Sequence, residues 1–266
     1  MSKTTIEILN SGPLMKVLSI VPNKNMFYGH PYGSSMDYKS AQVANQILGK
    51  KDTALLVECT LKACQLKFHE AMQFCITGAD MNWKLNGLKI ENYKVIHAIK
   101  GDILSGSFAT KGLRSYIGFS KDIVAFDKNQ LACNEVDLNL NEINDHVSQL
   151  EVKDVIGIKK GPEWELLDAN SQTSLEYYEL TITKDMSRMG VYLNGNPLHL
   201  VKPFPIKSVC TFPGVVQLLP SGQLLVLNQD AQTTGGYPRV AYLDKESLCD
   251  FNQMPMGHQL KWRLIN

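Results

Sequence analysis

The chain has 266 residues, 44% of them hydrophobic and 20% charged, a composition that supports a sizeable packed core and excludes a disordered or fibrous polymer. Lysine plus arginine exceed aspartate plus glutamate by 27 − 26 = 1, so no general positive field draws in a nucleic acid or an anionic lipid surface. No apolar run reaches the roughly 18 residues of a membrane span, and Met1-Ser2-Lys3-Thr4-Thr5-Ile6-Glu7 lacks a basic-then-apolar leader, so a cytoplasmic protein with no membrane partner is expected.

Short runs rich in Val, Ile, Leu, Phe and Tyr, separated by Gly, Asn, Asp or Pro, predict strands over 15–21, 54–59, 61–68, 72–77, 93–99, 103–108 and 113–119. Helices are few. Asp37 is placed to cap one that carries Ala41, Val43, Ala44, Ile47 and Leu48 before Gly49. The stretch 127–153 is rich in Asn, Asp and Glu, with a helical pattern over 141–150, and reads as a linker. Beyond it, strands are expected over 154–158, 175–182, 191–193, 215–219, 224–228, 239–243 and 258–264, and Asp244 caps a second helix through Ser247, Leu248 and Phe251. Pro220-Ser221-Gly222-Gln223 predicts a tight turn between paired strands, because Pro presets φ and Gly accepts positive φ. The fold class is therefore mainly β, barrel or sandwich, with a β-rich N-terminal subdomain over 1–126, the linker at 127–153, and a second subdomain over 154–266.

Several kinds of chemistry find no support. The six cysteines form no Cys-x-x-Cys pair and are expected as reduced, mostly buried thiols, while the six histidines are scattered singly, so no metal site is expected. Neither Gly-x-x-x-x-Gly-Lys-Ser/Thr nor Gly-x-Gly-x-x-Gly is present, so nothing announces autonomous nucleotide binding, and there is no Gly-x-Ser-x-Gly elbow. In Glu70-Ala71-Met72-Gln73, Gln73 stands where a biotinylated lysine would be needed, so this chain carries no biotin there.

The densest polar signal runs from Asn228 through Gln229, Asp230, Ala231, Gln232, Thr233, Thr234, Gly235, Gly236 and Tyr237 to Pro238, between two expected strands. It gathers a carboxylate, amides, hydroxyls and a phenol, and its glycine pair lets backbone N–H groups approach a carboxylate, phosphate or oxyanion. The alternative is a hairpin loop that satisfies its own hydrogen bonds. Arg188, next to Gly190 at a strand start, is either a two-pronged fork for a carboxylate or phosphate or a surface charge at a turn, and Arg114 is equally open. Glu58 is a barrel-mouth carboxylate or an exposed strand terminus, and Asp37 is a helix cap before it is an acid catalyst.

Taken together, Ser187-Arg188-Met189-Gly190, Pro213-Gly214-Val215-Val216-Gln217, Pro220-Ser221-Gly222, Gln232-Thr233-Thr234-Gly235-Gly236-Tyr237-Pro238 and Gln253-Met254-Pro255-Met256-Gly257 resemble the family of the C-type subunit of 5-oxoprolinase. That family is also called allophanate hydrolase subunit 2, Kip antagonist or biotin-dependent carboxyltransferase. Gly33-Ser34-Ser35-Met36-Asp37, Leu56-Val57-Glu58-Cys59-Thr60-Leu61 and Gly112-Leu113-Arg114-Ser115-Tyr116 extend the likeness over nearly the whole chain. The family's Gln-Asp-x-Gly-Arg motif is replaced here by Val21-Pro22-Asn23-Lys24-Asn25-Met26-Phe27.

The resemblance implies a cyclophilin-like barrel in the second subdomain and an ATP-dependent hydrolase subunit that opens 5-oxoproline to glutamate beside a Kip inhibitor-like B subunit and an A subunit. ATP would be shared with or held by the partner. The alternatives are a non-catalytic regulatory protein that binds a Kip inhibitor-like partner, or a carboxyltransferase or allophanate hydrolase-like subunit acting on urea-type substrates. On this resemblance Asp230, Gln232 and Tyr237 are the expected catalytic residues. Thr233, Thr234, Gly235, Gly236, Arg188, Arg114, Gln217 and Glu58 are the expected substrate contacts.

Overall fold

Burial alternates along the strand Gln65–Phe68, where Leu66 and Phe68 are buried and Gln65 and Lys67 are half-buried, as a strand with one face on a core requires. The same physics recurs through a computed structural model that describes residues 4–136, 149–177, 179–203 and 207–265. The chain is mainly β and divides into two units, one of Met1–Val21 with Asp37–Glu151, the other of Pro22–Met36 with Val152–Asn266.

In the first unit one sheet takes the order Asp122–Phe126, Gln130–Asn134, Thr4–Asn10, Gln65–Phe68, Ile103–Ser105, Lys84–Leu85, Leu88–Lys89. A second takes the order Met15–Leu18, Leu56–Thr60, Lys111–Phe119, Met72–Asp80, Ile96–Ala98. The sheets share a core: Phe68 of the first stacks on Phe74 of the second at 5.3 Å. The helix Tyr38–Ile47 begins where expected, because the Asp37 carboxylate accepts from Ser40 N–H at 3.1 Å. It lies close on the strand Lys111–Phe119, where Gly118 leaves room: a Cβ there would sit 3.3 Å from the Ala44 carbonyl oxygen.

The second unit is built on a closed barrel in the order Val155–Lys160, Arg239–Tyr242, Val215–Leu218, Leu224–Leu227, Gly190–Asn194, Leu180–Met186, Gln259–Leu264. Parallel pairing of Val155–Lys160 with Gln259–Leu264 closes it, and the barrel encloses a core that includes Ile158, Val216, Val226, Val240 and Trp262. The expected barrel architecture is present, as is the turn at 220–223, where Gly222 takes φ +82° and the Gln223 carbonyl is turned back to accept from Leu219 N–H at 2.9 Å. Asp244 caps the helix Lys245–Asn252 through Ser247 N–H at 2.9 Å. No helix among the described residues is long and apolar enough to cross a membrane.

Three expectations differ from the structure. The stretch 127–153 is not linker throughout: Gln130–Asn134 is a strand inside the first unit, paired with Thr4–Asn10, with Leu131 and Cys133 buried on alternate positions. The helix expected over 141–150 lies largely outside the described residues. The strand expected over 175–182 starts only at Leu180, because Ala169–Tyr177 is helical, with Ser171 N–H donating to the Asp168 carboxylate at 2.7 Å. A local cap thus outweighs the β-type composition of the run. Finally, Pro22–Met36 belongs with the second unit and not with the subdomain 1–126 in which it lies in sequence.

Candidate functional site

The polar turn of the second unit starts as the strand Leu224–Leu227 runs out. Asn228 N–H donates to the Met189 carbonyl at 3.0 Å, Asn228 Nδ2 to the Ser187 carbonyl at 3.0 Å, and Asp230 N–H to the Arg188 carbonyl at 2.7 Å. These bonds lace the turn to residues 187–189. The Arg188 side chain then crosses underneath, with Nε donating to Asp230 Oδ2 at 2.9 Å and Nη2 to Asp230 Oδ1 at 3.0 Å. Nη2 also donates to the Ser34 carbonyl at 2.7 Å. Arg188 is buried, at 5% exposure, so it is not the surface charge that its position beside a turn allowed. It is the fork that the sequence permitted, and the carboxylate it grips is Asp230 of its own chain.

Farther along, Thr211 Oγ1 donates to the Gln232 carbonyl at 2.7 Å, and Val209–Cys210 pairs with Thr234–Gly235 to make a small two-stranded flap. Arg239 fastens it from the side, with Nη1 donating to the Cys210 carbonyl at 3.0 Å while Nε and Nη2 grip the Glu163 carboxylate at 3.0 and 2.9 Å. Burial alone would raise the Glu163 carboxyl, but the hydrogen bonds and charge of Arg239 outweigh it and hold that group below the usual carboxylate range.

Gln217 lies beneath the flap. On the strand Val215–Leu218 its neighbours Val216 and Leu218 point into the barrel core, so period-two alternation turns Gln217 outward, under Gly235. It is fully buried, and neither its Oε1 nor its Nε2 meets a hydrogen-bonding partner among the described residues. A Cβ on Gly235 would stand 2.6 Å from Gln217 Nε2, so a larger residue there would push the Gln217 carboxamide aside. Gln232, Thr234 and Tyr237 are exposed and Thr233 is half-buried. Gly236 and Tyr237 border a cavity of about 440 Å³ whose floor includes Leu198, Leu200 and Leu218.

Eight of the expected residues on the turn and under it are thus brought together with Arg188, whereas Arg114 and Glu58 belong to the first unit. Glu58 is not an exposed strand terminus: it lies within Leu56–Thr60 at 1% exposure, opposite Tyr116, as Arg114 lies opposite Thr60. Alternation puts Glu58, Arg114 and Tyr116 on one face of that sheet, all buried. Tyr116 Oη accepts from Asp37 N–H at 2.7 Å. Burial, followed by the negative charges of Glu58 and Asp37, pushes its phenol well up. Tyr116 and Thr77, whose hydroxyl donates to the Ser40 carbonyl at 2.6 Å, were absent from the expected site residues. The cross-strand register that sets Tyr116 opposite both Glu58 and Thr77 leaves no trace in linear spacing. Asp37 is a cap, with Ser40 Oγ donating to its second oxygen at 2.6 Å.

A family model described as the carboxyltransferase domain, subdomain A and B, matches residues 28–130 and 120–264. The C-type subunit of the 5-oxoprolinase of Haemophilus influenzae is 28% identical over 260 residues, covering 90% of this chain and 84% of that protein. Its counterpart in Escherichia coli, also a C-type 5-oxoprolinase subunit, is 24% identical over 254 residues, covering 87% and 82%. Among solved structures, the urea carboxylase of Kluyveromyces lactis superposes with a TM-score of 0.88 at 18% identity, over 100% of this chain and 28% of that one, a likeness of fold.

Proposed function

The chain belongs to the family of the carboxyltransferase domain, subdomain A and B, and from that membership we propose that it is a subunit of an ATP-dependent 5-oxoprolinase, acting with a Kip inhibitor-like B subunit and an A subunit. The observation that carries the proposal is Gln217, a fully buried carboxamide with both polar atoms unbonded among the described residues. An unsatisfied buried amide costs about 1–3 kcal/mol, so its presence calls for a compensating partner. A lactam presents N–H and C=O side by side, and a primary carboxamide answers with one acceptor and one donor in the same plane.

In this reading the flap of Val209–Cys210 and Thr234–Gly235 lifts to admit the lactam to Gln217. Backbone N–H groups around Gly235 and Gly236 and the phenol of Tyr237 then polarise its carbonyl. Gln232, Thr233 and Thr234 supply polar contacts at the mouth. Asp230 positions the turn through Arg188 and is not the group that moves a proton. Nucleotide phosphates do not fit the arginines of this site: Arg188 is committed to Asp230 and Ser34, and Arg239 to Glu163 and Cys210. ATP is accordingly assigned to the partner subunits.

One observation favours a second reading, that of a non-catalytic protein binding a Kip inhibitor-like partner: the carboxylate expected to act in catalysis is held by an internal arginine. Urea also offers N–H beside C=O, so a urea-type substrate would use the same pairing. ATP-dependent glutamate release by the reconstituted subunits separates these readings, with urea assayed in parallel. Gln217→Met, which keeps the volume and removes the amide, should lower kcat/KM for 5-oxoproline by roughly a hundredfold, the scale of two lost hydrogen bonds, while leaving the fold intact. Unchanged turnover in the variant removes Gln217 from the mechanism, and binding of the B subunit without turnover in the wild type favours the regulatory reading.

A further inference from the structure

Between Pro22 and Met36 the chain forms a loop that is closed at its base and bare at its tip. Asn23 N–H donates to the Tyr32 carbonyl at 2.8 Å across the base, and Asn25 N–H donates to Asn23 Oδ1 at 2.9 Å. At the tip, Met26–Tyr28 makes one 3₁₀ turn, ended by Gly29 at φ +84°, whose N–H reaches the Met26 carbonyl at 3.0 Å. The loop is therefore built, not slack. Yet Phe27 is 93% exposed and Tyr28 79%, and their rings meet edge to face at 5.7 Å. Adjacent aromatic rings this bare, on a turn whose backbone is already satisfied, have the character of interface anchors: large apolar area ordered in advance, at little entropic cost on docking.

The charge around the rings restricts what fits them. Lys24 and His30 flank the tip, both exposed, and no aspartate or glutamate occurs from Pro22 through Met36. A single lysine is far from the polybasic cluster that would take the loop to an anionic membrane. A protein surface with a ring-sized apolar pocket rimmed by carboxylates is complementary to it. The loop also leads straight to the polar turn: Gly33 N–H donates to the Gln229 carbonyl at 2.8 Å, Ser34 Oγ to Gln229 Oε1 at 2.9 Å, and the Ser34 carbonyl rests on Arg188.

We propose that Phe27 and Tyr28 are the anchor by which this chain docks a partner protein bearing an acid-rimmed apolar pocket. Resting on the subunit reading above, that partner is the B-type subunit. Docking there loads the same segment that holds Arg188, and hence Asp230, in place.

The test measures binding of the purified B-type subunit to the whole chain by calorimetry, with thermal melting as the fold control. Phe27→Ala/Tyr28→Ala should weaken binding by roughly a hundredfold or more, as loss of two hot-spot rings does, with melting unchanged. Lys24→Glu should weaken it by roughly fivefold, the effect of a reversed rim charge, and Leu88→Ala, at an exposed apolar position of the first unit, should have no effect. If the wild type binds and the double variant binds within about threefold of it, the anchor is overturned while the subunit reading stands. If the wild type does not bind the B subunit, the subunit reading falls and the assignment of this partner falls with it. A wild-type dimer abolished by the double variant, or sedimentation with vesicles of phosphatidylcholine and phosphatidylserine, overturns the proposal in favour of a second copy or a membrane.

Discussion

A buried ion pair makes Asp230 a poor residue to delete when chemistry alone is to be read. Its side chain is 18% exposed and that of Arg188 5%, so Asp230→Ala leaves a guanidinium buried against one fewer acceptor group. Breaking such a pair from one side costs about 3–5 kcal/mol, whereas replacing both partners by apolar residues costs less. Asp230→Ala should therefore lower stability by about that amount in urea denaturation, and Arg188→Met/Asp230→Leu should recover part of it. Equal losses in the single and double variants would show that the pair is not the cause. A second pair couples through contact. Gly235→Ala should cost about 1–3 kcal/mol, since its Cβ would meet Gln217 Nε2 at 2.6 Å, and much less in a Gln217→Ala background. Additive costs would place the strain elsewhere. The sequence singled out Asp230, Arg188, Gln217 and Gly235 by residue type and family likeness. That the first two grip each other, and that the third lies under the fourth, depends on barrel register and could not be seen in spacing.

At the scale of elements, what reads locally came through and what depends on pairing did not. Asp37 and Asp244 announce their helices because a capping carboxylate satisfies N–H groups only three residues on, an interaction written entirely within its own segment. Gln130–Asn134 escaped because it lies within a stretch rich in Asn, Asp and Glu that reads as linker, and its pairing with Thr4–Asn10 and Asp122–Phe126 makes it a strand. The strand Arg239–Tyr242 adds a contact of the same hidden kind in the pair between Arg239 and Glu163, whose side chains are 19% and 14% exposed. Arg239 holds the Glu163 carboxyl below the usual value near 4.3, so the stabilisation is present above that unfolded value and is lost as pH falls through the lower folded one. Melting temperatures of the wild type and Glu163→Gln should thus differ at pH 7 and converge toward pH 3. A gap that stays constant with pH would rule out the charge as its source.

For the whole molecule, chain order and spatial grouping part company at one place. A linear reading sets one linker, 127–153, between subdomains over 1–126 and 154–266, because composition changes there. The structure divides at Glu151 and Val152 and also sends Pro22–Met36 to the second unit. Nothing in that segment's composition marks it as part of a barrel unit 116 or more residues downstream (152 − 36 = 116). What places it there is a set of hydrogen bonds: Ser34 accepts from Arg188, Gly33 donates to Gln229, and Met36 accepts from Asn252 Nδ2 at 2.9 Å. A fragment of residues 152–266 contains every barrel strand but lacks those partners, so Arg188 and Asn252 lose acceptors they have in the intact chain. A hydrogen bond to a charged group contributes about 1.5–3 kcal/mol, enough to matter to a small barrel. The fragment should therefore melt below the intact second unit, and a synthetic peptide of residues 22–36 should raise its melting temperature in a concentration-dependent manner, as a ligand of the folded form does. The peptide should have a smaller effect on a fragment carrying Arg188→Met and Asn252→Ala, in which only the Gln229 bonds to Gly33 and Ser34 remain. An equal shift in that fragment would mean that the segment is held by the Gln229 bonds or its apolar side chains rather than by Arg188 and Asn252, and a shift in neither would mean that the barrel does not need it.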